Sequence, residues 1–323
     1  MARRLWLSVA LFAVVAQSGC ILNPVKPEKK NVPELFLQGF LVAGGPIDNI
    51  ILRKTIPPEM YYDFMPLGRY AVSGAEVVIT IDGAQHPLAE LHPGTYGDPN
   101  LIARSGATCE IEVRFPANHE FTGRRLYGAT TIPEKPRASV TIHPYYVQRG
   151  AHLNGNSLTG LVFPRELSHP DSFGTTAEKE PFRLSWPLSA SAAGYMVVST
   201  AVDTQGTGLL RQRDYEDYLD GVFRDPMKRQ GKRTAGFYVL PDSSQSTVYW
   251  LLFSYQGWHD VSVVACDTGY WDYMVTVLND AGTGADSDAG VKLNVQGGLG
   301  IFCSYAADTT RVYIQPEWLP STR

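Results

Sequence analysis

The sequence predicts an all-β protein of two β-sandwich domains, with one or two short helices confined to the second. Three observations carry that prediction. Apolar and polar residues alternate in short runs between Leu35 and Ile132, Gly- and Pro-containing turn signals separate those runs, and charged residues make up only 19% of the chain. The 323 residues suit two domains on the usual 100 to 200 residues per domain. The formal net charge of −4 offers nothing basic enough to hold nucleic acid.

Residues 1–19 read as an export signal. Arg3-Arg4 precede an apolar run from Leu5 to Ala16, and Ser18-Gly19 stand before Cys20. A run of about a dozen residues falls short of the roughly 20 needed to span a bilayer, which fits a signal peptide better than a permanent anchor. Small residues followed directly by cysteine suit cleavage and lipidation at Cys20, although Gln17 departs from the usual apolar residue. A plain secretory signal with a structural Cys20 is the alternative. The two arginines fit any positively charged leader as well as twin-arginine export. Several acyl chains on one cysteine would give lasting membrane attachment, since each buried methylene contributes about 0.8 kcal/mol.

Residues 20–34 carry Pro24, Pro27 and Pro33 among Lys26, Glu28, Lys29 and Lys30. This composition predicts a tether that reaches about 40 Å at roughly 3.1 Å per residue. The first folded region, 35–145, is expected to place strands at Leu35 to Val42, Asn49 to Thr55, Ala75 to Asp82, Thr108 to Phe115 and Leu126 to Ile132. Gly44-Gly45-Pro46, Asp82-Gly83 and Pro93-Gly94 punctuate them. In the fourth run Cys109, Ile111, Val113 and Phe115 share one face, while Thr108, Glu110, Glu112 and Arg114 share the other.

Residues 146–181 read as a connector, and 182–323 as the second domain. Trp186 followed by Gly194-Tyr195-Met196-Val197-Val198 resembles the B and C strands of a fibronectin type III sandwich of the immunoglobulin-like class, where a tryptophan plugs the core. Thr247 to Tyr255 and Trp258 to Cys266 are expected to pair as a hairpin about Gln256-Gly257. Two amphipathic stripes predict helices. One is Tyr215, Tyr218, Leu219, Val222 and Phe223; the other is Tyr270, Trp271, Met274, Val275 and Leu278.

Motifs for chemistry are sparse, so no enzyme activity, catalytic residue or cofactor is expected. The chain has no G-x-S-x-G, H-E-x-x-H, S-x-x-K or phosphate-loop pattern. The seven histidines stand mostly beside Pro, Gly or polar residues and are expected in surface loops rather than as metal ligands. Asn279 to Gly290 alternates Asp with Gly, as a calcium loop does, but lacks the closing glutamate and reads as a solvated loop. Cys109, Cys266 and Cys303 are expected as buried free thiols, with a Cys266–Cys303 bridge as the alternative.

Aromatic residues supply the ligand candidates. Tyr61, Tyr62 and Phe64 lie in a long loop, and Trp258 stands in an aromatic-rich stretch between Phe237 and Tyr273. A glycan-binding platform is one use of such rings and core packing is the other.

Phe36-Leu37-Gln38-Gly39-Phe40, Ser73-Gly74-Ala75, Leu88-Ala89-Glu90, Gly94-Thr95-Tyr96, Tyr270-Trp271-Asp272-Tyr273 and Gly297 to Phe302 together resemble the Bacteroidota-type lipoproteins catalogued as domain of unknown function 4249. That resemblance spans the mature chain. It implies an outer-membrane lipoprotein, anchored through Cys20, that is accessory to a TonB-dependent transporter in nutrient uptake. A carbohydrate-binding surface module is the alternative. Ile21 to Lys30 lacks the acidic run of surface-displayed members, so the periplasmic and cell-surface faces both stay open.

Overall fold

The computed structural model describes residues 33–55, 70–142, 152–153, 156–157, 160–163, 182–202, 234–239, 241–248, 252–253, 255, 257–283 and 292–316. The strands are β1 (Leu35–Val42), β2 (Pro46–Lys54), β3 (Glu76–Ile81), β4 (Ala84–His92), β5 (Thr95–Ile102), β6 (Thr108–Arg114), β7 (Arg125–Thr131) and β8 (Ser139–Ile142). They continue with β9 (His152–Leu153), β10 (Asn156–Ser157), β11 (Gly160–Phe163), β12 (Phe182–Ser185), β13 (Gly194–Ala201), β14 (Thr234–Val239), β15 (Gln245–Val248), β16 (Gly257–Cys266) and β17 (Leu299–Pro316). Helix α1 (Thr268–Thr283) lies between the last two.

Local alternation sets the strand faces as expected. β1 buries Leu35, Leu37 and Leu41 and turns Phe36, Gln38, Phe40 and Val42 the other way. β3 buries Val77, Ile79 and Ile81, and β6 buries Cys109, Ile111 and Val113. These side chains form one core, with Ile47, Ile50 and Leu52 of β2 and Leu126 of β7. Asp82 and Gly83, both at positive φ, make the tight turn of the β3–β4 hairpin. A second core joins Leu184, Trp186 and Val248 to Tyr195, Val197, Val261, Val263, Val312 and Ile314. Trp186 is buried against Tyr195, with ring centroids 5.4 Å apart, so it does plug a core.

The protein is therefore an all-β sandwich, but its halves are joined and partitioned differently from expectation. One sheet runs β14-β13-β16-β17-β1-β2-β5-β4-β3-β6-β7, and β11 pairs with the far end of β17. β17 pairs parallel with β1 from Phe36↔Leu299 to Val42↔Tyr305 and antiparallel with the whole of β16. The sheet folds back so that β7 faces β17: Gly128 lies against Phe302, and Tyr127 bridges Gln296. Val295 and Phe302, expected in the second domain, thus belong to the first core. Conversely β8, expected in the first domain, pairs with β12 in a β15-β12-β8 sheet over the second core. Residues Glu34–Arg323 form one compact unit.

Three further expectations change. The Thr247 to Tyr255 run does not pair with the run after it. β15 instead pairs with β12, and β16 pairs with β13 and β17, because the two runs cover opposite sides of one core. β4 and β5 form where no strand was expected. His259 is buried on β16 against Phe253 rather than sitting in a surface loop; burial holds its pKa below the ordinary imidazole value. Cys109, Cys266 and Cys303 are free and buried, and loss of solvation holds all three thiols up, Cys109 to about 11.

The amphipathic stripe at 215–223, the connector apart from its short strands, and most of the tether lie outside the described residues. So does the glycine-rich segment 284–291, whereas Asn279 to Thr283 form the end of α1.

Candidate functional site: an aromatic groove beside the helix

Helix α1 starts at a fixed point. Asp267 is its N-cap: the carboxylate Oδ1 accepts the Tyr270 N–H at 2.7 Å, and the Asp267 carbonyl accepts the Trp271 N–H at 2.9 Å. The other carboxylate oxygen accepts the Thr130 hydroxyl. Ser304 Oγ lies 2.6 Å from that hydroxyl, and the Asp267 N–H donates to the Ser304 carbonyl. This cluster ties α1 to β7 and β17 at once. Thr130 and Asp267 line a cleft of about 510 Å³, which the Asp272–Lys292 ion pair, at 3.2 Å, also lines.

Burial is the largest influence on Asp267 and raises its pKa despite the bonds to Thr130, Tyr270 and Ser304. A raised folded-state pKa means that the protonated acid is the form folding favours. Its stabilising share is complete below the unfolded pKa of about 3.9 and is lost as pH rises through the folded value. Asp267→Asn keeps the capping oxygen without the charge, so at pH 7 it is expected to be at least as stable as the wild type, with any advantage disappearing toward pH 3. Asp267→Ala removes the cap and is expected to cost about 1–2 kcal/mol. Urea titrations at the two pH values read both outcomes.

With its start fixed, α1 lies on the outer face of the sheet. Tyr270, Trp271 and Met274 pack on Met196, Val264 and Cys266. On the side toward β1 and β2 the helix leaves a groove of about 450 Å³. Phe40 from β1, Tyr305 from β17 and Tyr270 and Tyr273 from α1 line it. Phe40 meets Tyr270 edge to face at 5.9 Å and Tyr273 at 6.2 Å, and Tyr270 meets Tyr305 at 4.9 Å. All four rings are half-buried. Rings packed on one another in this way need no reordering when a ligand arrives.

Asp48 and Asn49 complete the rim. The β2–β5 ladder shifts register on both sides of Ile47 and resumes at Ile50↔Tyr96, which leaves these two residues as an unpaired bulge. Gly97 permits it, because a Cβ there would lie 2.4 Å from the Asp48 Cα.

Of the sequence candidates, Trp258 is half-buried on the same outer face, edge-on to Tyr313 at 5.2 Å. Beside it Arg311 donates two hydrogen bonds to Asp260, at 2.7 and 2.9 Å. Eight residues of extended β16 separate Trp258 from the helix end of the sheet, about 27 Å at 3.4 Å per residue. Cys20, Tyr61, Tyr62 and Phe64 lie outside the described residues. Among the described residues no three His, Cys, Asp or Glu side chains gather as metal ligands, and no helix is long and apolar enough to cross a membrane.

Sequence reasoning missed Phe40, Tyr305, Asp48 and Asn49. One signal was present: the polar pair Asp48-Asn49 interrupts the apolar run Ile47 to Leu52 out of step, which marks a bulge. Asp267-Thr268-Gly269 before the apolar stripe likewise marks a helix start.

Fold and site together define an all-β sandwich protein with a preformed aromatic groove on its outer face. No protein-family model matches the chain, and no curated protein matches it. Among solved structures it is similar to the FN1-FN3 domains of chicken CNTN1, at 11% identity and a TM-score of 0.23; the match covers 73% of this chain and 59% of that one.

Proposed function

We propose that this protein is a lipid-anchored, non-enzymatic binding protein of the outer membrane, accessory to a TonB-dependent transporter in nutrient uptake. Anchoring rests on Cys20 behind a signal-type segment, and the transporter on the family resemblance. The observation that carries the binding role is the groove of half-buried rings at Phe40, Tyr270, Tyr273 and Tyr305. Partly exposed rings held in a concave site are what ligand-contact surfaces use. A second reading, carbohydrate binding, is favoured by the same rings.

Replacing Cys20 by Ser is expected to move the protein from the membrane pellet to the soluble fraction, because the acyl chains then have no thiol to occupy. Affinity purification of the wild-type protein from detergent-solubilised membranes should recover a TonB-dependent transporter. A wild-type N-terminus without acyl groups by mass spectrometry would defeat the anchoring. Purification that recovers no transporter would defeat the accessory role.

A further inference from the structure

We infer that the groove between α1 and the β1–β2 pair binds a neutral saccharide ring; this deepens the carbohydrate reading and locates it away from Trp258. Four half-buried rings line the groove and give it the apolar surface on which the C–H face of a sugar packs. The bulge supplies the polar half of the site. Neither the Asp48 carboxylate nor the Asn49 amide has a hydrogen-bond partner among the described residues, although both stand on the rim of an aromatic groove. A carboxylate accepts hydroxyl hydrogens, and an amide both accepts and donates.

Charge and geometry narrow the ligand class. The groove lining includes Asp48 and no Lys, Arg or His, so a phosphorylated or uronic ligand meets a like charge and no cationic partner. A purely apolar ligand would strip water from Asp48 and Asn49 without replacing it. A quaternary ammonium needs rings set apart as walls around it. Here Tyr270 packs on Phe40 and Tyr305, and Phe40 on Tyr273, with centroids 4.9–6.2 Å apart, so the rings form one packed cluster rather than separate walls. A hydroxylated neutral ring satisfies both halves, and the volume falls in the range of about 300–1,000 Å³ typical of small-ligand sites.

The bulge itself is built rather than accidental. Asp48 and Asn49 reach the rim only because the ladder slips there, and the slip needs Gly97 opposite.

The test uses the mature chain on an array of neutral gluco-, manno-, xylo- and galacto-oligosaccharides, with uronic oligosaccharides and choline as further arms. Calorimetry then measures any ligand found. Neutral glycans are expected to bind, with affinity falling at least tenfold in Tyr273→Ala and in the double variant Asp48→Ala/Asn49→Ala, and unchanged in Trp258→Ala. The double variant changes only rim residues, so it decides the matter if Tyr273→Ala fails to fold by circular dichroism. The inference is overturned if no neutral glycan binds, if only uronic glycans or choline bind, or if Trp258→Ala alone abolishes binding. Recovery of a transporter by the wild-type protein is a separate readout: its presence with no glycan binding sinks this inference and leaves the accessory role standing.

Discussion

Phe302→Ala is expected to lower the unfolding free energy by about 3–5 kcal/mol, the usual cost of truncating a fully buried phenylalanine. Phe302 is 0% exposed and sits on β17 where the folded sheet closes on itself. Two glycines make its place. A Cβ at Gly39 would lie 2.7 Å from Phe302 Cδ2, and one at Gly128 would lie 2.7 Å from Phe302 Cβ. The ring is therefore gripped from β1 and β7 at once, and neither side chain exists to refill the hole. Urea denaturation measures the loss. Phe302→Leu should recover part of it, because it restores some of the volume. A Phe302→Ala protein with the wild-type midpoint would show that β7 does not close over β17.

Gly300→Ala is expected to be comparably damaging, for a backbone reason. Gly300 has φ +132°, a conformation that L side chains rarely adopt, and a Cβ there would lie 1.9 Å from the Leu37 carbonyl oxygen. Leu37 is its partner in the parallel β1–β17 seam. Strain of about 1–3 kcal/mol adds to an overpacking cost of similar size, so a loss of about 4 kcal/mol is expected. Gly44→Ala is the control. Gly44 also has positive φ, but a Cβ there meets nothing within 4 Å, so it suffers the conformational cost alone, about 1 kcal/mol. Equal midpoints for the two variants would refute the seam.

The strands that could be read from sequence were those with one wet and one dry face. β1, β3 and β6 alternate over six or more residues, and alternation is a local property. β4 and β5 escaped because their patterns are poor: Ala84–His92 buries only Leu88, and Thr95–Ile102 contains Gly97 and Pro99. They are strands because neighbours on both sides pair with them, a tertiary reason. The expected hairpin at Gln256-Gly257 failed for the complementary reason. Adjacent apolar runs suggest a hairpin, but β15 found β12, and no local feature names that partner.

The candidate site divides in the same way. Tyr270 was visible as part of a helical stripe, Tyr273 stood inside that segment but off the stripe, and the Asp267 cap could have been read from its spacing. Their meeting with Phe40 and Tyr305 was not visible, since it depends on β17 lying parallel to β1. Trp258, the most conspicuous ring in the sequence, is placed by the register of β16 far from the helix and against Tyr313.

By itself, then, the amino-acid order determined the all-β class, which side of each well-patterned strand is dry, the face of α1, and the tryptophan that fills the second core. Side-chain direction repeats every two residues in a strand and every 3.6 in a helix, whatever lies far away in the chain. Only the tertiary structure decided that the last strand completes the first sheet, that Asp48 and Asn49 bulge, and that four rings share one groove. The bulge comes from the β2–β5 ladder and the other two features from the β1–β17 pairing, and a backbone hydrogen bond to β1 looks the same in sequence as one to any other strand.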